Sequence, residues 1–144
     1  MPTPKIPPPC WDLFEAHPVR FEPGDVVIHF HGGPQHENPY GQVQGGLLAA
    51  MIDNCIGPAV YLVAPERQST TIEMKVTYLA PALPGELLVG TAKVLKHGRT
   101  AAFVEVSLEK EDGTLVAKAS ATNVFLGEVP VPKAMEEFKQ DHGV

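Results

Sequence analysis

The chain has 144 residues, of which 44% are hydrophobic and 19% charged, and its formal net charge is −6 at pH 7. This length is sufficient for one hydrophobic core and too short for two ordinary domains. The acidic balance provides no broad basic field, so electrostatic binding along a nucleic acid backbone is not expected.

The N-terminal segment is predicted to be an extended, proline-rich arm followed by a short helix near Trp11 to Ala16. Prolines occupy positions 2, 4, 7, 8 and 9, and the apolar core of a signal peptide is missing. Cys10 and Cys55 are too few for a disulfide framework and fit a reducing compartment. We therefore expect a cytoplasmic protein.

The segment Asp25 to His31 is predicted to form the first strand of a sheet. His29 and His31 alternate onto one face, and His36 and Glu37 follow, so a transition-metal site is one interpretation. The spacing matches no strong metal motif, and a polar outer face of the sheet explains the same residues. No metal and no cofactor are expected.

The segment from Asn38 to Asp53 is the strongest indication of a functional site. Gly45 and Gly46 open the apolar run Leu47 to Ile52, which is predicted to be a helix, and Asp53 lies inside that helix. Glycine has no Cβ, so a ligand can approach its backbone closely, and the first amides of a helix have no partner within it. These amides lie at the positive end of the helix dipole, where they can polarise a carbonyl oxygen.

Asp53 is too far from Gly45 to act on the same carbonyl within one chain. It lies eight residues further on, which is about 12 Å along a helix axis. If one substrate uses both residues, the acid must come from a second, antiparallel copy of the helix. A symmetric dimer would supply it and would contain two identical sites.

The helix is expected to extend to about Val63 and to be buried in a soluble fold. Its apolar character also raises the question of a membrane span. Asp53 near the middle of such a span would cost about 2.5 to 3.5 kcal/mol, and Asn54 and Pro58 add to the objection. Because Pro58 removes an amide donor, we expect a kink or a tightened turn near Gly57.

The remaining chain alternates in the manner of half-buried antiparallel strands, over residues 71–78, 100–110 and 115–125. In the first of these strands the pattern places one set of side chains on one face, namely Ile72, Met74, Val76 and Tyr78, and another set on the other face, namely Thr71, Glu73, Lys75 and Thr77. In the last strand the small residues Ala117, Ala119 and Ala121 share a face on which a helix can lie close. Turns are predicted at Lys96 to Arg99 and at Asp112-Gly113. The chain after Gly127 is expected to be extended and then mobile.

Asn38, the pair Gly45-Gly46 and Asp53, placed before and within a long apolar helix, resemble the hot-dog-fold thioesterases, specifically the phenylacetate-type acyl-CoA thioesterase family. The likeness continues through residues 71–82, 85–86 and 96–100 and covers about residues 19–125. It implies an α+β hot-dog fold, in which an antiparallel sheet wraps around one long central helix. The implied organisation is an arm over residues 1–18, a hot-dog domain over 19–127 and a C-terminal tail over 128–144.

Gln44 departs from the family pattern, which usually has a histidine before the glycine pair. Glutamine donates and accepts hydrogen bonds but does not titrate, so an acid or base role is excluded at this position. His31-Gly32-Gly33 spells the usual tripeptide, but no apolar helix follows it and Tyr40 stands where the acid should be. We therefore reject this second match.

The resemblance implies hydrolysis of an acyl-CoA thioester with an aryl or medium-chain acyl group. The carbonyl would lie at the amide of Gly45, and Asp53 of the partner subunit would act as general base on water or attack directly. Asn38 would position the water or the thioester, although an Asn-Pro turn explains it nearly as well. Gln44, Gly46 and Thr71 would contact the substrate, with strand propensity as the alternative account of the threonine.

The coenzyme is expected to lie along Lys96, His97, Gly98 and Arg99, with its phosphates on the basic side chains, unless these residues form only a solvated turn. The resemblance further implies homodimers with sites at the subunit interface, pairing into dimers of dimers, and no membrane partner.

Three alternatives remain open at this stage. Asp53 could be a structural acid, since buried ion pairs also perturb carboxylates without doing chemistry. The protein could be an acyl-thioester hydratase or dehydratase of the same fold, a class that generally pairs a histidine with an acid. It could also be a non-catalytic acyl-CoA sensor, against which the presence of both Asn38 and Asp53 argues. Cys55 is interpreted as a small buried residue rather than a nucleophile.

Overall fold

The computed structural model describes residues 4–144, so the first residues of the predicted arm, 1–3, lie outside the described part. The helices and strands are β1 His17–Glu22, β2 Asp25–His31, α1 Gly45–Val63, β3 Arg67–Tyr78, β4 Leu87–His97, β5 Ala101–Lys110, β6 Leu115–Glu128 and α2 Lys133–His142, with 3₁₀ helices at Pro9–Phe14 and Pro34–His36. The six strands form one sheet in the order β1-β2-β4-β5-β6-β3. Every neighbouring pair is antiparallel, and α1 packs against the sheet, which confirms the predicted α+β architecture.

The central helix α1 is buried along one face. The buried side chains recur at helical spacing and are Leu48, Met51, Ile52, Cys55, Ile56, Ala59 and Val60. By length and hydropathy alone α1 could cross a membrane, but these seven side chains form part of the hydrophobic core of the sheet and helix. The helix continues through Pro58 and ends at Val63.

The N-terminal region differs from the prediction in two ways. The short helix is a 3₁₀ helix that ends at Phe14, with Trp11 and Phe14 buried. An additional strand, β1, follows and pairs with β2, so the predicted boundary at residue 19 falls inside a strand. The sequence did not predict this strand because it contains Pro18, and proline is unfavourable inside a sheet. Proline is tolerated here because β1 lies at the edge of the sheet.

The C-terminal segment is not a mobile tail. Residues 133–142 form α2, whose Met135 and Phe138 side chains are buried. The Phe138 ring lies 5.6 Å from Trp11 and 5.5 Å from Phe21, measured between ring centroids. This short helix carries only two core side chains, a pattern too weak to stand out in the sequence.

A β-bulge in β3 corrects the predicted faces of that strand. Thr71 lies opposite Asn123 and Glu73 lies opposite Thr122, so Ile72 is an extra residue in the strand. The Ile72 side chain is 61% exposed, whereas the Thr71 hydroxyl points at α1. The bulge thus moves Thr71 onto the face that strict alternation gave to Ile72.

The two predicted turns are confirmed as hairpin connections. The amide of Gly98 donates to the carbonyl of Ala101 at 2.9 Å between β4 and β5. Between β5 and β6, Gly113 has a φ of 87°, a left-handed conformation that favours glycine.

Candidate active site

The start of α1 carries the features expected of an anion-binding or carbonyl-polarising site. Gln44 is the N-cap residue, and its carbonyl accepts hydrogen bonds from the amides of Leu47 and Leu48 at 3.0 and 3.1 Å. The amides of Gly45 and Gly46 therefore precede the first donor inside the helix and remain available to a ligand. The Gln44 side chain makes no capping hydrogen bond.

Tyr78, at the end of β3, packs directly on Gly45. Its hydroxyl donates to the Gly45 carbonyl oxygen at 2.7 Å. A Cβ atom added at Gly45 would lie 3.2 Å from the Tyr78 ring, closer than ordinary van der Waals contact. At Gly46 the nearest such atom is the Gln44 Oε1, at 3.8 Å. A side chain at position 45 would therefore displace the Tyr78 ring by a few tenths of an ångström, so close packing, the alternative account of this glycine, involves Tyr78 from β3.

A cavity of about 370 Å³ opens beside the helix start. Its wall is formed by Asn38, Gln42, Val43, Gly45, Leu48, Tyr78, Leu79, Ala80, Pro81 and Ala82. The lining combines apolar side chains with the polar side chains of Asn38, Gln42 and Tyr78. Such a cavity suits an apolar group attached to a polar reacting centre.

Asn38 has the turn role that was considered for it and also reaches the cavity. Its Oδ1 accepts hydrogen bonds from the amides of Tyr40 and Gln42, at 2.9 and 3.2 Å. Its carbonyl accepts from the amide of Gly41 at 3.0 Å. Because these bonds use the side-chain oxygen, they orient the side-chain amide nitrogen, whose two protons are the donors that Asn38 can offer to a ligand.

Asp53 lies on the exposed face of α1 and accepts a hydrogen bond from Thr71, with 3.0 Å between Thr71 Oγ1 and Asp53 Oδ1. The structure therefore brings together two of the predicted site residues. It keeps them apart from Gly45, because α1 and β3 run in opposite directions. Gly45 contacts the end of β3 at Tyr78, whereas Asp53 contacts Thr71, which lies seven residues earlier in the strand and about 20 Å away along it.

The predicted coenzyme-binding residues, Lys96 to Arg99, are exposed at the β4–β5 hairpin. Arg67 stabilises this hairpin, because its guanidinium donates to the carbonyls of Gly98 and Arg99 and lies 3.9 Å from the centroid of the Phe125 ring. A second cavity, of about 390 Å³, is lined by His97, Arg67 and residues 63–66. This region is at the end of α1, about 27 Å along the helix from Gly45. The two cavities of one subunit are therefore separate.

Within residues 4–144, no group of three or more histidine, cysteine, aspartate or glutamate side chains is arranged to hold a metal ion. His36 is buried, and its Nδ1 accepts a hydrogen bond from the amide of Gly33 at 2.7 Å. This histidine therefore shapes the loop after β2. His31 ends β2, and a 3₁₀ helix follows, so the second His-Gly-Gly match does not open an apolar helix.

Cys55 is fully buried in the core. Burial and, to a smaller extent, the nearby charge of Asp53 raise the pKa of its thiol far above the ordinary value. A thiol that does not ionise is a poor nucleophile.

Comparison with known proteins identifies relatives over most of the chain. The model of the thioesterase superfamily matches residues 40–117. Acyl-coenzyme A thioesterase 13 of Homo sapiens is 37% identical over 105 residues, which are 72% of this chain and 75% of that protein. Zebra fish thioesterase superfamily member 2 is 33% identical, with a TM-score of 0.72 over 78% of this chain and 81% of its own. The E. coli PaaI protein from the phenylacetic acid degradation operon has a TM-score of 0.82 over 86% and 88% of the two chains, and its 17% identity makes it a relative by fold.

Proposed function

The chain belongs to the thioesterase superfamily and is a thioester hydrolase. From this premise we propose that it hydrolyses acyl-CoA thioesters with an aryl or medium-chain acyl group, at a site shared between two subunits. The observation that carries the proposal is the separation of two complementary half-sites in one chain. One half is the helix start at Gly45 with its cavity, and the other is the hydrogen-bonded pair of Asp53 and Thr71.

The half-sites meet if two subunits pair through β3. This strand is twelve residues long and lies at the edge of the sheet, so one side of its backbone is free within the described chain. Antiparallel pairing of two copies about an axis between residues 74 and 75 of β3 places Thr71 of one strand opposite Tyr78 of the other. Asp53 of the partner subunit then lies beside Gly45 and Tyr78.

The exposed face of α1 supports the same arrangement. Gly46, Asp53 and Gly57 are exposed and share one side of the helix, since they are spaced seven and four residues apart. Two of the three are glycines, which allow a second helix or a substrate to approach the backbone. The dimers are further proposed to pair into tetramers, as the family resemblance implies.

The reaction divides between the two half-sites. The Gly45 amide donates to the thioester oxygen and stabilises the negative charge that develops there. Thr71 occupies one oxygen of the Asp53 carboxylate, which leaves the other oxygen to take a proton from water or to attack the carbonyl carbon. In the first route the C–S bond breaks as the water oxygen is added, and the CoA sulfur leaves with the proton that Asp53 returns. In the second route CoA leaves as the acyl group joins Asp53, and water then hydrolyses the resulting anhydride. Asn38 donates to the water or to the thioester, Gln44 and Gly46 contact the substrate at the helix start, and the acyl chain enters the cavity.

We place the coenzyme phosphates on Lys96, His97 and Arg99, with Gly98 allowing close approach. The hairpin lies at the same end of the subunit as the start of β3, because Arg67 bonds it directly. The two-fold pairing therefore carries this hairpin of one subunit toward the Gly45 cavity of the other. The cytoplasm is the proposed location, and two unpaired cysteines are consistent with it.

Mixed dimers test the division of the site. Asp53→Ala and Gly45→Val subunits, each inactive alone, are unfolded together and refolded at equal concentration, and release of CoA is followed with a thiol reagent. Random pairing makes half of the dimers mixed, each with one intact site, so about a quarter of the wild-type activity is expected. No activity in mixtures that contain the mixed dimer by native mass spectrometry would refute the shared site.

A panel of aryl and aliphatic acyl-CoA thioesters, run with the wild-type protein, ranks the acyl groups. The exposed Gln44, in place of the usual histidine, keeps a non-catalytic acyl-CoA sensor as the second candidate. Saturable binding of acyl-CoA without release of thiol from any member of the panel would support the sensor.

A further inference from the structure

Asn123 is a polar residue in a row of core side chains. The alternation of β6 places Ala117, Ala119 and Ala121 in the core, and the next position on that face is Asn123, which is 2% exposed. Burial of a side-chain amide is costly unless the amide is hydrogen-bonded. A residue of this kind in a row of alanines therefore requires an explanation.

The hydrogen-bond partner of Asn123 is Thr71, which lies directly opposite it on β3. Thr71 Oγ1 is 3.3 Å from Asn123 Oδ1 and 3.0 Å from Asp53 Oδ1. A hydroxyl has only one proton to donate. The bond to the Asp53 carboxylate is shorter and charge-assisted, so the Thr71 hydroxyl donates its proton to Asp53. Oxygen and nitrogen of an amide are interchangeable by a rotation of the group. With its nitrogen toward Thr71, Asn123 donates to the hydroxyl while the hydroxyl donates to Asp53.

We propose that Asn123 is a positioning residue that holds Thr71 in the rotamer whose hydroxyl points at Asp53, and that it thereby orients the Asp53 carboxylate. The inference rests on the proposed role of Asp53 in hydrolysis. The bulge at Ile72 gives the reason for such an anchor. It brings Thr71 to the inner face of β3 at the point where the ladder is disrupted, and a local bond must then fix the side chain.

Two readouts test the proposal. The rotamer of Thr71 is measured by NMR, from the three-bond couplings of its methyl carbon to the backbone nitrogen and carbonyl carbon. This measurement requires no turnover, so it decides the positioning of Thr71 even if Asp53→Ala shows that the proposed function is wrong. The second readout is kcat and KM for the best acyl-CoA of the panel.

The principal variant is Asn123→Leu, which keeps the branch at Cγ and has no polar atom. We expect Thr71 to populate more than one rotamer and kcat to fall by about tenfold, the factor that the loss of one hydrogen bond produces at its upper range, with little change in KM. Thr71→Val should lower kcat to a similar extent. Asn123→Leu added to Thr71→Val should lower it no further, because the amide acts through the hydroxyl.

Thr122→Val is the matched control, since it removes a hydroxyl from the neighbouring residue of β6, on the opposite face, and should change neither readout. A single, unchanged Thr71 rotamer in Asn123→Leu would overturn the proposal. An equal fall of kcat in the wild-type and Thr71→Val backgrounds would also overturn it, because a merely structural amide acts independently of Thr71. If Asn123→Leu fails to fold, Asn123→Ala is examined by the same criteria.

Discussion

Substitution of Tyr78 by phenylalanine tests whether the helix start is held in place from β3. The change removes the hydroxyl that donates to the Gly45 carbonyl at 2.7 Å and keeps the ring that packs on Gly45. One hydrogen bond contributes about 0.5 to 1.5 kcal/mol, equivalent to roughly two- to twelvefold in rate. Because Tyr78 is 49% exposed, water replaces part of this contribution. We therefore expect kcat/KM to fall by about two- to fivefold.

The assay is the initial rate of CoA release at several acyl-CoA concentrations, together with a thermal unfolding curve of each variant. Tyr40→Phe is the control, because it removes a hydroxyl from a tyrosine that is 86% exposed and lies outside the cavity wall. Its kcat/KM should equal that of the wild type. Wild-type activity in Tyr78→Phe, or an equal loss in both variants, would refute the reasoning that the phenol holds the Gly45 peptide in position.

Two further predictions concern stability. Gly90→Ala places a Cβ 2.6 Å from the Sγ of Cys55, which should lower the free energy of unfolding in urea by about 1 to 3 kcal/mol. Adding Cys55→Ala should recover part of that loss, and an undiminished loss in the double variant would show that this contact is not its cause. The pKa of His29 lies below its usual value because of burial and the neighbouring charges of His17 and His31. The unfolded chain therefore takes up the proton more readily, so stability is full above about pH 6.5 and falls as the pH drops below it. His29→Gln should flatten this dependence between pH 7 and 5.5 in denaturant titrations, whereas an unchanged slope would assign it to other groups.

The parts of the site that follow local rules could be predicted from the sequence. Gly45, Gly46 and Asp53 lie where the helical pattern places them, and the reach argument from the helical rise agrees with the separation of the half-sites. These features depend on one helix and need no information about its neighbours.

The parts that depend on pairing between strands could not be predicted. Thr71 faces α1 only because a bulge displaces Ile72, and a bulge is visible only in the register of β3 against β6. The sequence shows that Asn123 is a polar residue that continues a row of alanines. Its hydrogen-bond partner could not be predicted, because Thr71 is 52 residues away in sequence. Tyr78 likewise meets Gly45 across 33 residues. Contacts between residues so far apart in sequence are determined by how the strands and the helix pack together.

The placement of the two half-sites at different positions along α1 has a genetic consequence. In the proposed dimer, a subunit defective only at Asp53 disables one of the two sites it helps to form, and its wild-type partner still completes the other. A subunit defective at both Gly45 and Asp53 disables both sites of a mixed dimer while leaving the pairing strand β3 intact. Such an allele would act as a dominant negative, because each defective chain also inactivates the normal chain with which it pairs.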